Sequence, residues 1–264
     1  MKSQHVADWQ LPAGINRGLW DYSQSSCVAN NYDENLKDCP LLQLDLRFVK
    51  KHCSRPGRLI DLGCGTGRVS VPMAQMNHEV LAVDLSQDML RVVGKKAGKV
   101  GIDLQRLRIN LVELDGIRDG VFDYAVCLFS TIGMILGQEN RLGFLRHAHR
   151  ILKPQGRMIL HVHNRWFNFW TRQGRQWVLR DLWRSVTRSP DQGDSEMPPH
   201  NGHPPLTLHL FTRREMTQLL KSTGFRLVEF RPISVREDGE IRWNWWFSTL
   251  RAYGYLIVAD KTGS

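Results

Sequence analysis

Short apolar runs alternate with amphipathic stretches between residues 59 and 164 of the 264-residue chain. The apolar runs predict five β-strands, placed at 59–62, 80–83, 104–111, 122–129 and 158–163. Between several of these runs, apolar residues recur at three- and four-residue spacings, which predicts helices over 67–76, after Ser86 and over 142–151. Strands that alternate with helices through short joins are typical of a parallel sheet covered by helices.

The segments on either side of this region follow other patterns. Residues 1–57 contain one helical pattern ahead of a Pro-Gly pair, and we expect them to form an N-terminal cap. Residues 165–205 break the alternation and are interpreted as an insertion. The alternation returns with an extended run at 206–211, a helix at 212–222, a strand at 225–230 and a last apolar run at 254–259.

The first predicted strand runs directly into three glycines spaced two apart, Gly63, Gly65 and Gly67. Glycine at alternate positions removes the Cβ atoms that would keep a ligand away from the backbone, so this turn is expected to cradle a small molecule. The spacing is one residue shorter than that of the dinucleotide-binding turn of dehydrogenases. The acid Asp61 beside the turn suits a cationic ligand better than a pyrophosphate. Asp84, at the end of the second strand, lies where a ribose would be bound.

Four motifs follow one another in this region: Ile-Asp-Leu-Gly-Cys-Gly-Thr-Gly at 60–67, Val-Asp-Leu-Ser at 83–86, Phe-Asp-Tyr-Ala-Val at 122–126 and Leu-Lys-Pro-Gln-Gly-Arg at 152–157. With them the chain resembles the class I S-adenosylmethionine-dependent methyltransferases, strongly over 59–164 and more weakly in the C-terminal part. The resemblance implies an α/β fold, Rossmann-like and doubly wound, with a mostly parallel seven-stranded sheet whose last strand is antiparallel. It further implies a single domain made of a cap (1–57), a cofactor-binding half (58–164), the insertion (165–205) and the C-terminal part of the sheet (206–264).

The same resemblance implies that S-adenosylmethionine is the cofactor and assigns residues to it. Gly63 and Gly65 would pack against its methionine part, Asp61 would hold its amino group and Asp84 its ribose hydroxyls. Leu85 and Asn110 would meet the adenine, although Asn110 stands where the family usually has an acidic residue; an amide oxygen accepts the same hydrogen bond. The full set of implied cofactor-binding residues is Asp61, Gly63, Cys64, Gly65, Gly67, Asp84, Leu85, Asn110, Leu111 and Leu128.

Catalytic residues are harder to predict, because the sulfonium already activates the methyl group and the protein mainly positions the acceptor. His163 ends the fifth strand, at the sheet edge where open α/β sheets bind ligands, and is a candidate general base; the alternative is a histidine that satisfies local hydrogen bonds. Tyr32 resembles a tyrosine that small-molecule methyltransferases place in a lid over the cofactor, with ordinary packing as the alternative. A zinc site made of His161 and His163 with His200 and His203 is conceivable but disfavoured, so no metal is expected.

Composition adds a bias towards anionic partners. The formal net charge is +10 and the isoelectric point is near 9.7, which suits nucleic acid, acidic lipids or phosphorylated metabolites without choosing among them. The five cysteines are scattered and read as free thiols. Neither an N-terminal signal peptide nor a membrane-spanning run is indicated, so a cytoplasmic location is expected.

The insertion combines aromatic residues with arginines. Between Arg165 and Arg188 there are six arginines and one acid, Asp181, interleaved with tryptophans and phenylalanines. A lid over the substrate pocket, an amphipathic segment on an anionic membrane through 165–188 and an RNA-binding surface all fit this composition. We favour methyl transfer to an oxygen, nitrogen or carbon atom of a small-molecule acceptor. The alternatives are an RNA-directed methyltransferase and a non-catalytic protein that binds the cofactor or a membrane.

Overall fold

The computed structural model describes residues 6–187, 189, 191–197, 205–236, 238–241 and 247–263. Its N-terminal part is helical, with a 3-10 helix at Asp8–Gln10 followed by α1 (Arg17–Gln24), α2 (Ser26–Leu36) and α3 (Pro40–His52). The side chains of Asn16 and Ser25 cap α1 and α2 by accepting backbone N–H groups. The sequence predicts only one of these α-helices, because α1 spans only eight residues and α2 contains few large apolar residues, so neither forms a long periodic run.

The alternating region forms strands and helices in the predicted order. Its elements are β1 (Arg58–Leu62), α4 (Ser70–Gln75), β2 (Glu79–Asp84), α5 (Gln87–Lys99), β3 (Gln105–Arg108), β4 (Phe122–Cys127), α6 (Thr131–Met134), α7 (Gln138–Ile151) and β5 (Leu152–His163). β3 is shorter than its predicted run because the backbone leaves the sheet after Arg108 and turns. β5 begins earlier than predicted, since Leu152 already pairs with Phe122 of β4 and Arg157 with Tyr124, with a register shift between the two pairs.

The C-terminal part begins with a 3-10 helix at Arg165–Trp170. It continues with α8 (Arg172–Val186), β6 (Asp194–Met197), β7 (Leu206–His209), α9 (Arg213–Ser222), β8 (Phe225–Ile233), α10 (Ser248–Arg251) and β9 (Gly254–Lys261). The extended run predicted at 206–211 contributes β7, which pairs antiparallel with β6 in a separate two-stranded sheet and does not join the main sheet.

Seven of the strands in the described part of the chain form the main sheet, in the order β3-β2-β1-β4-β5-β9-β8. The pairs among the first five strands are parallel, whereas β9 runs antiparallel to both β5 and β8. The predicted fold class is therefore confirmed, including the antiparallel last strand. Strand order reverses beside β1, which has β2 on one side and β4 on the other, and such a point is where open α/β sheets bind ligands.

The sheet is buried on both faces, which explains the continuous apolar runs of its central strands. Ile60 of β1 belongs to the core cluster that also holds residues of α7 and α9. The next residue back, Leu59, faces the opposite side and packs in a cluster with α3, α4 and α5. The five cysteines are free thiols, as predicted, and three of them are buried.

The glycine turn after β1, residues 63–67, is held by backbone hydrogen bonds from the N–H groups of Gly63 and Cys64 to the carbonyl of Val83. Gly63 has a φ of 79°, and a Cβ atom there would lie 2.4 Å from Cγ2 of Thr131. Gly65 has a φ of 53°, but the nearest atom to a Cβ would be Cε1 of Tyr32 at an ordinary 3.7 Å. Position 63 therefore excludes a side chain through both backbone strain and collision, and position 65 through strain alone.

We expect Gly63→Ala to lower the free energy of unfolding by about 3 kcal/mol and Gly65→Ala by about 1 kcal/mol, because only the first adds a collision to the left-handed strain. Thr131→Ser removes the colliding methyl group and keeps the hydroxyl that donates to the Leu128 carbonyl. In the Thr131→Ser background the loss caused by Gly63→Ala should fall towards that of Gly65→Ala. Denaturant unfolding of the single and double variants measures this. The steric explanation would be contradicted if both alanine variants lost the same free energy of unfolding. It would also be contradicted if Thr131→Ser did not reduce the loss caused by Gly63→Ala.

Candidate active site

A cleft with a cavity volume of about 100 Å³ lies beside the glycine turn, at the carboxyl ends of β1 and β2. Open α/β sheets bind their ligands at this edge. Many of the residues singled out in the sequence contribute to its lining, namely Tyr32, Gly63, Gly65, Asp84, Leu85, Asn110 and Leu111. The structure thus brings together residues of the cap, the glycine turn, the end of β2 and the turn after β3.

Asp84 holds the glycine turn in place. One oxygen of its carboxylate accepts the backbone N–H of Gly65 and the other accepts that of Ser86, both at 2.8 Å. Burial raises the pKa of Asp84, and the hydrogen bonds to the backbone counteract part of that rise. A carboxylate has about four acceptor positions, so two hydrogen bonds leave others for a ligand in the cleft.

Asp61 lies below the cleft and is not among the side chains that line it. It is buried, and its Oδ2 accepts the hydroxyl of Ser70 at 2.6 Å. Burial raises the pKa of Asp61 to about 6, although the hydrogen bond from Ser70 and the charge of Arg68 oppose the rise. The direct contact between Asp61 and a bound amino group therefore stays a prediction.

The cap covers the cleft with two tyrosines, Tyr22 of α1 and Tyr32 of α2. Burial raises the pKa of both phenols, so both are neutral hydroxyls near neutral pH. The next residue along the chain, Asp33, accepts the Thr66 hydroxyl at 2.6 Å and forms an ion pair with Lys96 at 2.5 Å. These two contacts fasten α2 to the glycine turn and to α5, which keeps Tyr32 over the cleft.

Asn110 connects the cap to the turn after β3. Its amide nitrogen donates to the carbonyl of Ala13 at 2.9 Å, and its amide oxygen accepts the N–H of Val112 at 3.4 Å. The side chain is buried with only a small surface in the cleft. Its predicted hydrogen bond to adenine stays a prediction, and the oxygen's second acceptor position is the one that such a bond would use.

Three other predicted residues do not line the cleft. Cys64 and Leu128 are buried in the core, and burial raises the pKa of the Cys64 thiol well above its ordinary value. Gly67 lies against Val93 of α5 and completes the turn with a φ of 79°. The side chains of Cys64 and Leu128 act in packing and Gly67 has none, so any contact of these residues with a ligand would come from the backbone.

The sequence did not single out several residues that line the cleft: Ile15, Leu19, Met89, Thr131, Met134 and Ile135. They come from the start of the chain, from α5 and from the short helix α6. Apolar residues in such positions have the same sequence pattern as core residues, so only the fold distinguishes them.

His163, the predicted general base, lies outside the lining of the cleft. Its ring packs edge-on against Phe129, His161 and Tyr253, with ring centroids 4.8–5.8 Å apart. Burial, assisted by the neighbouring His161, lowers the pKa of His163 to about 3. The imidazole is therefore neutral at physiological pH, and its Nε2 is buried without a partner among the described residues. His200 and His203 of the disfavoured zinc cluster lie outside the described residues.

A buried network under α3 was missed by the sequence interpretation. The carboxylate of Asp45 accepts from Arg68 at 3.0 Å and contacts Nδ1 of His161 at 2.8 Å, and all three side chains are largely or fully buried. Burial alone would raise the pKa of Asp45, but His161 and Arg68 together lower it. The signal was present in the sequence, since an acid interrupts the apolar face of α3 between Leu44 and Phe48.

The match to a known protein family identifies the class of protein to which this cleft belongs. A family model described as a methyltransferase domain matches residues 32–230, from α2 to β8. The chain belongs to this methyltransferase family. The predicted membership is thereby confirmed, and the matched range includes the glycine turn, Asp84 and the insertion.

Relatives of this methyltransferase domain share part of its length. YqeM of Bacillus subtilis, whose name assigns it provisionally to the methyltransferases, is 29% identical over 136 residues, which are 52% of this chain and 54% of that protein. The chain therefore spans about half the length of the curated relatives it matches.

Two solved structures resemble the methyltransferase domain over most of its length. One is a SAM-dependent methyltransferase of Methanosarcina mazei, with a TM-score of 0.66 and 21% identity, covering 82% of this chain and 98% of that one. The other is the 1,6-didemethyltoxoflavin-N1-methyltransferase of Burkholderia thailandensis with bound 1,6-didemethyltoxoflavin and S-adenosylhomocysteine, with a TM-score of 0.60 and 17% identity, covering 96% and 94%. At these identities the likeness establishes a shared fold.

In the described part of the methyltransferase domain, no helix combines the length and the apolar character needed to cross a bilayer. The cytoplasmic location stays a prediction.

The raised pKa of Asp61 predicts a pH-dependent effect of Asp61→Asn. The unfolded chain ionises this carboxyl near 3.8 and the native state only near 6, so the native state loses relative stability as the pH rises through this window. A shift of about 2 pKa units corresponds to about 3 kcal/mol, which Asp61→Asn would recover at neutral pH. In thermal unfolding, the unfolding temperature of Asp61→Asn should rise relative to that of the parent as the pH increases from about 4 to about 7. The control is Asp103→Asn at an exposed position. A difference between Asp61→Asn and the parent that stays constant with pH would contradict the raised pKa.

Proposed function

We propose that the chain is an S-adenosylmethionine-dependent methyltransferase that acts on a small-molecule acceptor. The observation that carries the proposal is the cleft in which Asp84, held by the backbone of Gly65 and Ser86, lies beside a glycine turn at the reversal point of a parallel sheet. Family membership and the S-adenosylhomocysteine bound to a protein of the same fold support it.

The residues present fit such a cofactor. Asp84 offers carboxylate acceptors for ribose hydroxyls, and the apolar side chains of Leu85, Met89 and Leu111 line the cleft beside it, as an adenine ring requires. At Gly65 the backbone is open towards Tyr32, so a ligand can lie against it. When bound, the cofactor supplies a methyl group that its sulfonium already activates.

We place the acceptor next to the loop that follows β4. Thr131, which begins α6 directly after this loop, lines the cleft, and Phe129 of the loop packs with His163 and Tyr253. Phe167 adds a further ring against Tyr253 at a centroid distance of 5.0 Å. A wall of aromatic rings suits a flat, largely apolar small molecule. The Burkholderia thailandensis enzyme of the same fold has such an acceptor class, since 1,6-didemethyltoxoflavin, a small molecule, is bound to it.

His163 and Tyr32 remain our candidates for acting on the acceptor, with roles limited by their protonation. A group with a pKa of about 3 is a weak base at neutral pH, so His163 would accept a hydrogen bond and orient the acceptor rather than remove its proton. Tyr32, a neutral phenol over the cleft, would donate one. Both roles position the acceptor, which is the main demand of methyl transfer.

Calorimetric titration of the full chain with S-adenosylhomocysteine tests the cofactor site. We expect Asp84→Ala to weaken binding by at least about tenfold, because hydrogen bonds to a charged group contribute about 1.5–3 kcal/mol. Asp103→Ala, at an exposed position away from the cleft, is the matched control and should bind like the parent. Since Asp84 also holds the glycine turn, thermal unfolding of the variant establishes that it is folded under the titration conditions.

The parent protein failing to bind either S-adenosylmethionine or S-adenosylhomocysteine would refute the proposed function. Incubation with methyl-labelled S-adenosylmethionine and a fractionated cell extract then tests the acceptor class. Label in the small-molecule fraction supports the proposal, whereas label confined to RNA would favour the RNA-directed alternative.

A further inference from the structure

Helix α8 exposes an apolar stripe. Leu179, Leu182, Trp183 and Val186 lie on one face of the helix, and between 41% and 77% of each residue is accessible. The opposite side of α8 faces the protein and buries Val178 and Asp181. Apolar stripes at helical spacing usually pack into a core, so the exposure of this stripe to solvent requires another explanation.

The same face carries positive charge at its N-terminal end. Arg172 and Arg175 continue the stripe at the three- and four-residue spacing that leads to Leu179, and both are exposed. The only acidic residue of α8, Asp181, is buried, forms an ion pair with Arg165 and accepts the N–H of Gly193 at 2.7 Å. We call Arg172, Arg175, Leu179, Leu182, Trp183 and Val186 the α8 face. It is basic and apolar with no acidic member.

The segment before α8 extends the exposed apolar surface. Phe169 and Trp170 of the 3-10 helix are 40% and 57% exposed, and the indole N–H of Trp170 donates to the carbonyl of Leu250 at 2.7 Å. That hydrogen bond holds Trp170 against α10 with most of its ring outward. An amphipathic ring fixed at the surface is typical of side chains that lie at a water–lipid boundary.

The chemistry of the α8 face selects its partner. Arginines match the phosphate groups of anionic lipids, and the aliphatic side chains of Leu179, Leu182 and Val186 match the acyl chains just beneath them. The phosphates of RNA would contact the arginines, but RNA has no apolar surface that would bury the three aliphatic side chains, since it binds through base stacking and phosphate contacts. A second copy of the chain would bring the same arginines with no exposed acid on α8 to pair with them.

We propose that the α8 face binds the surface of an anionic phospholipid bilayer, with α8 lying in the plane of the interface. The helix is amphipathic and no described helix is long and apolar enough to span a bilayer, so the contact is peripheral. This inference is independent of the proposed reaction, because it depends only on the exposed side of α8.

Vesicle co-sedimentation with the full chain tests the proposal. We use vesicles of phosphatidylglycerol and phosphatidylcholine in equal parts and vesicles of phosphatidylcholine alone. Binding is expected only to the anionic vesicles. The triple variant Leu179→Gln, Trp183→Gln, Val186→Gln should bind at least about tenfold more weakly, since each removes apolar area that the acyl region would bury. The matched control replaces Val100, Val228 and Val235, all exposed and outside α8, by Gln.

Charge is tested separately from apolar burial. Arg172→Gln with Arg175→Gln should weaken binding to the anionic vesicles by about tenfold or more and should reduce its dependence on salt. Thermal unfolding verifies that each variant is folded, which is expected because the altered side chains are exposed in the parent.

Several outcomes would overturn the proposal. These are no binding of the parent to anionic vesicles, equal losses for the α8 variant and the valine control, and equal binding to both kinds of vesicle. If the α8 variant instead changes the protein from dimer to monomer in light scattering, the face binds a second copy. If RNA competes with vesicles and the triple variant keeps full RNA affinity, the arginines alone define an RNA surface.

Discussion

The hydrogen bonds of Asp84 determine the geometry of the whole cofactor half. A single carboxylate at the end of β2 accepts the N–H of Gly65 from the turn after β1 and that of Ser86 at the start of α5. The glycine turn, β2 and the start of α5 are therefore held together by the Asp84 carboxylate. Tyr32 reaches the cleft only because Asp33 attaches α2 to Thr66 in the turn and to Lys96 in α5. The positions of the cap, of its two tyrosines and of the cleft between them and the turn all depend on this arrangement.

Much of this half was predictable from the sequence, for a physical reason. Strands buried on both faces must be apolar throughout, so β1, β2 and β4 stand out as short runs, and Gly63, Gly65 and Asp84 follow them at fixed offsets. The same logic fails for α1, which spans only eight residues, and for α2, which buries only Val28 and Ala29. It also fails for β7, because pairing with β6 outside the main sheet depends on contacts that no local pattern encodes.

The candidate site was predictable in part. Backbone positions such as Gly65 could be assigned, but the partners of side chains could not. Asp61 and Asp84 look alike in sequence, yet one is sealed below the cleft beside Ser70 and the other opens into it. His163 appeared suited to act as a base, and only its packing among Phe129, His161 and Tyr253 reveals how burial removes its basicity.

The buried network of Asp45, Arg68 and His161 constrains how this chain can change over evolutionary time. Its members come from α3, from the residue that follows the glycine turn and from β5, and His161 lies 116 positions after Asp45 along the chain. Replacing Asp45 leaves the buried Arg68 unpaired, at a cost of about 3–5 kcal/mol, a large share of the roughly 5–15 kcal/mol that keeps a domain folded. Related sequences should therefore vary at these three positions together, either keeping the hydrogen-bonded set or replacing it jointly with apolar residues. Covariation among positions 45, 68 and 161 in related sequences would then reveal this long-range contact, which cannot be recognised in one sequence alone.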